Sequence, residues 1–325
     1  MLTRRTLLAS ASASFLAGPA LAQSYPTQTI RIIAGFPPGG GIDISARLVS
    51  EPLKAALGQT VIVENRAGAA GMIAAYTVAK AAPDGHTLLM ATSGEIAISP
   101  HLYKDKMTYD PRRELTPLAL IGIVPCVVVV ADTTPVHNPQ ELIAYAKANA
   151  GRLSFSSSGV GNPQQLAGEL MNMMAGTNVL HVPYRGAAPA VTDVATGAVT
   201  MSFTSLAAAL PLINGGKLRA VAVTSKERMP QLPDVAPLSE GPGLAGYELL
   251  NWFGMFATGG TPPAIVNRLN TIVNTALKDP TISEKLIPQG IVPRVMTAPE
   301  YKKFVDSETD KFGKIVQMAN IKVSD

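Results

Sequence analysis

Apolar and polar positions change period along this chain, from the short continuous or alternating runs of strands to the three-and-four spacing of helices. Residues 29–36 form an isoleucine-rich strand, and the turn Pro37-Pro38-Gly39-Gly40-Gly41 leads to a helix at 42–57 that Gly58 closes. Pro52 lies inside that helix, where the missing donor and the ring clash predict a kink or a break. Residues 61–64 read as the next strand, the small-residue loop 68–71 precedes a helix ending near Ala82, and Pro83-Asp84-Gly85 turns into a strand at 87–91. The habit continues. Asn138-Pro139-Gln140-Glu141 predicts a capping box with proline at the first helical position, Gly151 ends that helix, and 153–157 is again a strand. Helices are expected at 163–175, 189–196 and 205–214, separated by strands at 179–182, 199–203 and 218–224. Thr261-Pro262 and Thr297-Ala298-Pro299-Glu300 open two C-terminal helices. This alternation predicts an α/β fold whose parallel sheets carry helices on both faces.

Length divides the pattern: 325 residues suit two lobes of roughly 150 each. With 47% hydrophobic and 15% charged residues, the chain has the apolar material for packed cores and not the composition of a disordered one. Of 27 basic residues, Arg4 and Arg5 fall in a segment expected to be removed, which leaves 25 against 23 acidic and argues against a nucleic-acid binder. The single cysteine, Cys126, excludes an intramolecular disulfide and a cysteine-based metal or iron–sulfur site. The four histidines are scattered without HxxxH spacing, so no metal and no cofactor is expected.

Residues 1–22 read as an export signal: Arg4 and Arg5 are the positive region, 6–17 the apolar region, and Ala20-Leu21-Ala22 a small-x-small cleavage site before Gln23. The apolar run is shorter than the roughly 20 residues of a membrane span and contains Gly18 and Pro19. Thr3-Arg4-Arg5-Thr6 also resembles a twin-arginine signal, and the general secretory route stays open. No cysteine follows the cleavage site to carry a lipid, so a soluble periplasmic product is implied. The apolar run 119–131 contains Pro125 and reads as one or two buried strands.

In parallel sheets ligands sit beyond the carboxyl ends of strands. Four loops there are poor in acidic residues and rich in Gly, Ser or Thr: 36–41, Thr92-Ser93-Gly94, 156–162, and Pro183-Tyr184-Arg185-Gly186. Any one of them is an ordinary turn, but four together offer the unencumbered N–H and hydroxyl donors of an anion site. A dinucleotide fingerprint competes, with Gly39 and Gly41 as its first two glycines. Ile44 occupies its third position, Pro37 and Pro38 stiffen the turn, and no GK[ST] occurs. A hydrolase is also weighed, but Ser156, Ser157 and Ser158 sit in no GxSxG elbow. His86, His101, His137 and His181 lie at turns or strand ends with no assignable partner, so no enzyme activity is expected.

These residues carry a family resemblance. Ile32-Ile33-Ala34-Gly35-Phe36-Pro37-Pro38-Gly39-Gly40-Gly41-Ile42-Asp43, Val63-Glu64-Asn65-Arg66-Ala67-Gly68-Ala69-Ala70-Gly71 and Ala82-Pro83-Asp84-Gly85-His86-Thr87-Leu88-Leu89-Met90 resemble the tripartite tricarboxylate transporter receptors, the Bug-type periplasmic solute-binding proteins. So do Leu166-Ala167-Gly168-Glu169, His181-Val182-Pro183-Tyr184-Arg185-Gly186 and Gly216-Lys217-Leu218-Arg219-Ala220-Val221-Ala222-Val223-Thr224, and the similarity runs from about Tyr25 to Lys322. The resemblance implies a two-lobed "Venus flytrap" in which each lobe is a helix-covered, mainly parallel sheet and two strands, 124–131 and 248–257, form the hinge. It implies lobe 1 from residues 23–126 plus 248–325 and lobe 2 from 127–247. It also implies carboxylate ligands, one carboxylate held near 36–41, partly through water, and another at the helix opening at Pro163 by Ser157, Gly161, Asn162 and Gln164. With the donor-rich loops, the expected ligand-binding set is Phe36, Pro38, Gly39, Gly40, Thr92, Ser93, Ser157, Gly161, Asn162, Gln164, Tyr184 and Thr204.

Three positions depart from the family pattern. Asn162-Pro163 stands where relatives commonly carry Thr-Ser, and proline removes one N–H from the helix start. Thr204 stands where many carry an aspartate that would pair with a ligand ammonium, so a carboxylate without an amine is expected. Glu95 either faces the cleft, where it would accept an amine, or is a solvated charge. The chain is thus expected to be a monomeric periplasmic receptor presenting a small organic acid to membrane transporter subunits. A sensor subunit with a signalling partner would have the same cleft.

Overall fold

In the structure, a computed structural model, residues 25–184 and 186–321 are described; the export segment 1–22 and Arg185 lie outside them. The first part of the chain forms β1 (Ile30–Ala34), α1 (Gly41–Leu57), β2 (Val61–Asn65), α2 (Met72–Ala79) and β3 (Thr87–Thr92). A π-helical turn, Gly94–Ile98, and two one-turn helices, α3 (Ser99–Leu102) and α4 (Pro111–Glu114), lead into β4 (Leu115–Ala131). There follow α5 (Pro139–Ala148), β5 (Ser154–Ser157), α6 (Pro163–Ala175), β6 (Leu180–Pro183), α7 (Ala187–Ala195), β7 (Met201–Ser205), α8 (Leu206–Asn214) and β8 (Leu218–Val223). The chain ends with β9 (Leu250–Thr258), α9 (Pro263–Leu277), α10 (Pro280–Leu286), β10 (Val292–Pro293) and α11 (Ala298–Met318).

Local rules account for most of these boundaries. Helix α6 has the expected bounds because Asn162 caps Gln165 N–H at 2.9 Å and Gly176 ends it at φ +65°. Helix α11 opens on a complete capping box between Thr297 and Glu300. At α5 the box is displaced: Asn138 caps Glu141 N–H, but the Glu141 carboxylate takes the N–H of His137 instead of that of Asn138. Helix α2 stops at Ala79, short of Ala82. Helix α1 runs through Pro52 without a break. Losing one backbone bond costs about 3 kcal/mol, whereas fully burying each of Ala46, Val49 and Leu53 with Ile42 outweighs it at about 1.5–3 kcal/mol per large side chain.

The outer strands are parallel as expected, β2-β1-β3 on one side and β6-β5-β7 on the other. Between them lie antiparallel strands that the alternation did not reveal. Strand β9 pairs with β3 and β4, and β4 pairs with β7, β8 and β10, so the ten strands form one curled, mixed α/β sheet in two halves. The 17-residue β4 serves both halves. It follows β9 from Leu115↔Thr258 to Pro125↔Leu250, then pairs with β7 from Cys126↔Ser205 onward. Proline at the exchange point is economical, because its missing N–H falls where one ladder ends and the next begins.

The apolar cores follow from this. On one face a single core runs across both halves, from Ala74 and Leu89 through Trp252 and Tyr301 to Phe155 and Phe203. On the other face there are two cores. One gathers Ile32, Ile42, Val124 and Phe253, the other Val127, Val129, Leu206 and Val223. Residues on the second half of β4 alternate between them, Val128 and Val130 to the shared core, Val127 and Val129 to the separate one.

Helix α11 lies on the shared core with Tyr301 standing directly over Gly254 of β9, where a Cβ would collide with its hydroxyl. Gly254→Ala should therefore cost about 1–3 kcal/mol by overpacking. Urea unfolding would show it as a lowered midpoint, and an unchanged midpoint would contradict the close seating of α11.

Candidate anion-binding cleft

Where the two separate cores part, a cavity of about 810 Å³ opens, floored by Val124, Pro125 and Cys126 of β4. One wall is the turn 36–41 with Ile42, Thr92, Asn251 and Phe253; the other is Ser158, Gln164, Gly186, Ala187, Ser205 and Ala207, with Gln289 at the edge. Four helices, α1, α6, α7 and α8, begin on this wall set, 17, 13, 9 and 9 residues long. Each helix start carries roughly half a positive charge together with unpaired N–H groups.

The free donors can be identified individually. At α1, Gly39 has φ +84° and gives its N–H to Asp43 Oδ2 at 2.9 Å, which leaves the amides of Gly40 and Gly41 without an acceptor among the described residues. Helix α6 has Asn162 capping Gln165, Gly161 N–H bound to Gln165 Oε1 at 2.8 Å, and no N–H on Pro163, so its available donor is Gln164. Neither α7 nor α8 has a side-chain cap, and Gly186, Ala187, Ser205 and Ala207 reach the cavity. Asn251 accepts from Ser93 Oγ and Trp252 N–H through Oδ1, both at 2.9 Å, so its NH2 end is left for a ligand.

Among the described residues no carboxylate, lysine, arginine or histidine lines the cavity. Its one ionisable side chain, Cys126, is pushed up to about 12 by burial and stays a thiol. An anion entering here is met by oriented amides, and a cation meets no counter-charge.

Asp43 holds the glycine turn in place. Its carboxylate accepts Gly39 N–H, the Arg47 guanidinium and Asn65 Nδ2 (2.9 Å), while Asn65 Nδ2 also reaches Phe36 O at 3.0 Å. Arg47, with Gly39 and Asn65, holds its carboxyl down at about 2, so it stays ionised.

Of the expected binding residues, the structure brings Phe36, Pro38, Gly39, Gly40, Thr92 and Gln164 to the cavity wall. The others stand behind it. Ser93 is buried and bonds Asn251, supporting a lining residue. Ser157 Oγ lies 2.7 Å from both Gly159 O and His181 Nε2, and burial pushes His181 down to about 4, so the pair is neutral. Gly161 has φ +73°, and a Cβ there would come 2.5 Å from Leu102 Cδ1; Asn162 is a cap. The Tyr184 hydroxyl donates to Asp193 Oδ2 at 2.6 Å. Thr204 is buried with an unpartnered Oγ1, and the next residue, Ser205, faces the cavity instead. Glu95 is neither in the cleft nor solvated: it is wholly buried, its carboxylate bound by Thr92 N–H and Thr92 Oγ1. Sequence reasoning missed Asn251, Phe253 and Gln289. Asn251 had a signal, as a polar residue inside the apolar run 248–257, and Gln289 had none.

Known proteins resemble this chain along most of its length. The description "Tripartite tricarboxylate transporter family receptor" (TctC) matches residues 45–321. The chain is 36% identical to the "UPF0065 protein in tcbD-tcbE intergenic region" of Pseudomonas sp. strain P51, over 96% of this chain and 94% of that protein. Among solved structures it is similar to R. palustris Rpa4515 with adipate, at 34% identity and TM-score 0.80 over 92% of this chain and 99% of that one. It is also similar to MatC from Rhodopseudomonas palustris with bound malate, at 30% identity and TM-score 0.75 over 90% and 100%.

Asp43→Ala should release the Gly39 amide and loosen the turn. The expected loss is about 1–3 kcal/mol of stability, the scale of hydrogen bonds to a charged group. Because the folded-state carboxyl titrates below its ordinary value, the contribution is present above about pH 4 and disappears as pH falls toward 2. Thermal unfolding of the wild type and Asp43→Ala across that range should converge at the acid end. A constant gap would mean that the carboxylate charge is not what holds the turn.

Proposed function

The chain belongs to the tripartite tricarboxylate transporter receptor family, and from that premise we propose that it captures a small organic carboxylate in the periplasm and delivers it to a tripartite tricarboxylate-type membrane transporter. Family and fold are those of solute-binding receptors and not of enzymes. The observation that carries the ligand class is the convergence of four helix starts on one cavity with no charged side chain among its described lining residues. Two solved relatives hold adipate and malate, each with a carboxylate at either end. A dicarboxylate of that size here sets one carboxylate on the amides of Gly40 and Gly41 and the other near Gln164, Ala187 and Ala207. The lobes are then 23–126 plus 248–325 and 127–247, meeting where β4 changes partner.

The preference for a ligand without an amine rests on different residues than the sequence suggested. Thr204 does not reach the cavity, but no acidic side chain among the described residues does either, so a bound ammonium is left unpaired at a cost of several kcal/mol.

Calorimetry with matched ligands tests this reading. Adipate or malate should bind and survive EDTA, and conversion to the diamide should cost roughly 10- to 100-fold in affinity, the worth of charge-assisted hydrogen bonds. Succinate should bind more tightly than aspartate. Equal affinity for acid and diamide would refute the carboxylate site, and a clear preference for aspartate would refute the exclusion of amines.

A further inference from the structure

Thr92 stands in the cavity wall, paired across the sheet with Phe253, which lines the same cavity. Behind it lies the Glu95 carboxyl, fully buried in the π-helical turn. We propose that Glu95 is a positioning residue for the ligand: its protonation turns the Thr92 hydroxyl proton into the cavity, so that binding a carboxylate takes up a proton. This rests on the carboxylate-receptor reading and adds a proton to it.

The donors around Thr92 can be counted. Glu95 Oε1 accepts Thr92 N–H at 2.8 Å, Oε2 accepts the Thr92 hydroxyl, and Thr92 Oγ1 in turn accepts Gly94 N–H at 3.0 Å. A hydroxyl has one proton and two lone pairs. While Glu95 is ionised, that proton points away from the cavity, and Thr92 has no hydroxyl proton to offer an arriving carboxylate. Once Glu95 carries a proton, its own O–H donates to Oγ1. Gly94 N–H and Glu95 then fill both lone pairs, and the Thr92 proton is free to meet the ligand. The bond from Thr92 N–H to Oε1 persists in both states.

The surroundings allow Glu95 to change state. Tyr109 donates its hydroxyl to the Glu95 main-chain oxygen at 2.7 Å, and helix α11, which carries Tyr301, packs against the same turn. Burial and the Glu95 charge push both phenols well above their ordinary range, so they remain neutral. From α3, His101 is bound to Thr309 O. Ahead of α2, Gly71 presses its backbone on the carboxyl so closely that a Cβ would lie 2.8 Å from Glu95 Cδ. Among the described residues no cation compensates the charge, and burial pushes the carboxyl up to about 7. A ligand carboxylate across Thr92 raises it further by like-charge repulsion.

The sign follows by linkage: above neutral pH the complex holds more protons than the free protein, so affinity falls as pH rises. Adipate is the probe, fully ionised across pH 6.5–9. For the wild type, calorimetry in two buffers of different ionisation enthalpy should show proton uptake near pH 8 and an affinity about tenfold lower at pH 8.5 than at pH 6.5. Glu95→Gln donates permanently to Thr92 Oγ1, so it should keep its pH 6.5 affinity to pH 9 and take up no proton. An infrared carboxylic-acid band should appear when adipate is added to the wild type at pH 8, a readout that holds even if the variant fails to fold. A pH-independent wild-type affinity, absence of the band, or an unchanged pH slope in Glu95→Gln would overturn the proposal while leaving the carboxylate reading intact. Failure of both adipate and malate to bind at pH 6.5 would overturn both.

Discussion

Strand β4 exchanges its hydrogen-bonding partner between Pro125, opposite Leu250, and Cys126, opposite Ser205. A continuous strand shared by two halves cannot bury both of its faces in the same way where the partners change. On one face the packing closes over the junction through Trp252, Tyr301 and the residues around them. On the other face the packing stops on either side and the cavity fills the break, with Val124, Pro125 and Cys126 as its floor. The location of the cleft is thus a result of strand pairing, settled before any ligand-facing residue is considered.

The chemistry of the cleft depends on which amides are already occupied. A helix start exposes four N–H groups, and capping side chains ordinarily take some of them. Here Asp43 takes Gly39 N–H, Asn162 takes Gln165 N–H and the Gln165 side chain takes Gly161 N–H, so what reaches the cavity is a small set of amides with fixed directions. Oriented dipoles receive an anion without needing to be neutralised when the cleft is empty, which an arginine in a dry pocket would require.

The fold was largely legible from the sequence because its signals are local: glycine turns, proline at helix starts, and capping residues such as Asn162 and Thr297. The antiparallel partners of β4 were not, since pairing between Leu115 and Thr258 leaves no mark on either segment alone. All four loops contribute to the cavity wall, through residues 36–41, Thr92, Ser158 and Gly186, but not always with the expected residues. Ser157 and Thr204 point inward and Ser158 and Ser205 face the cavity, because a shift of one residue at a strand end reverses the side. Glu95 fell outside both expectations because its burial depends on Gly71 and on helix α11, which are remote in sequence.

Capture as proposed needs a ligand that bridges the two halves through backbone amides. A crystal structure with saturating adipate tests this most directly. It should show one carboxylate at the amides of Gly40 and Gly41 and the other at the starts of α6, α7 and α8, with the chain of the ligand over Pro125. Both carboxylates on one side of β4, or both held chiefly by lysine or arginine side chains, would contradict it.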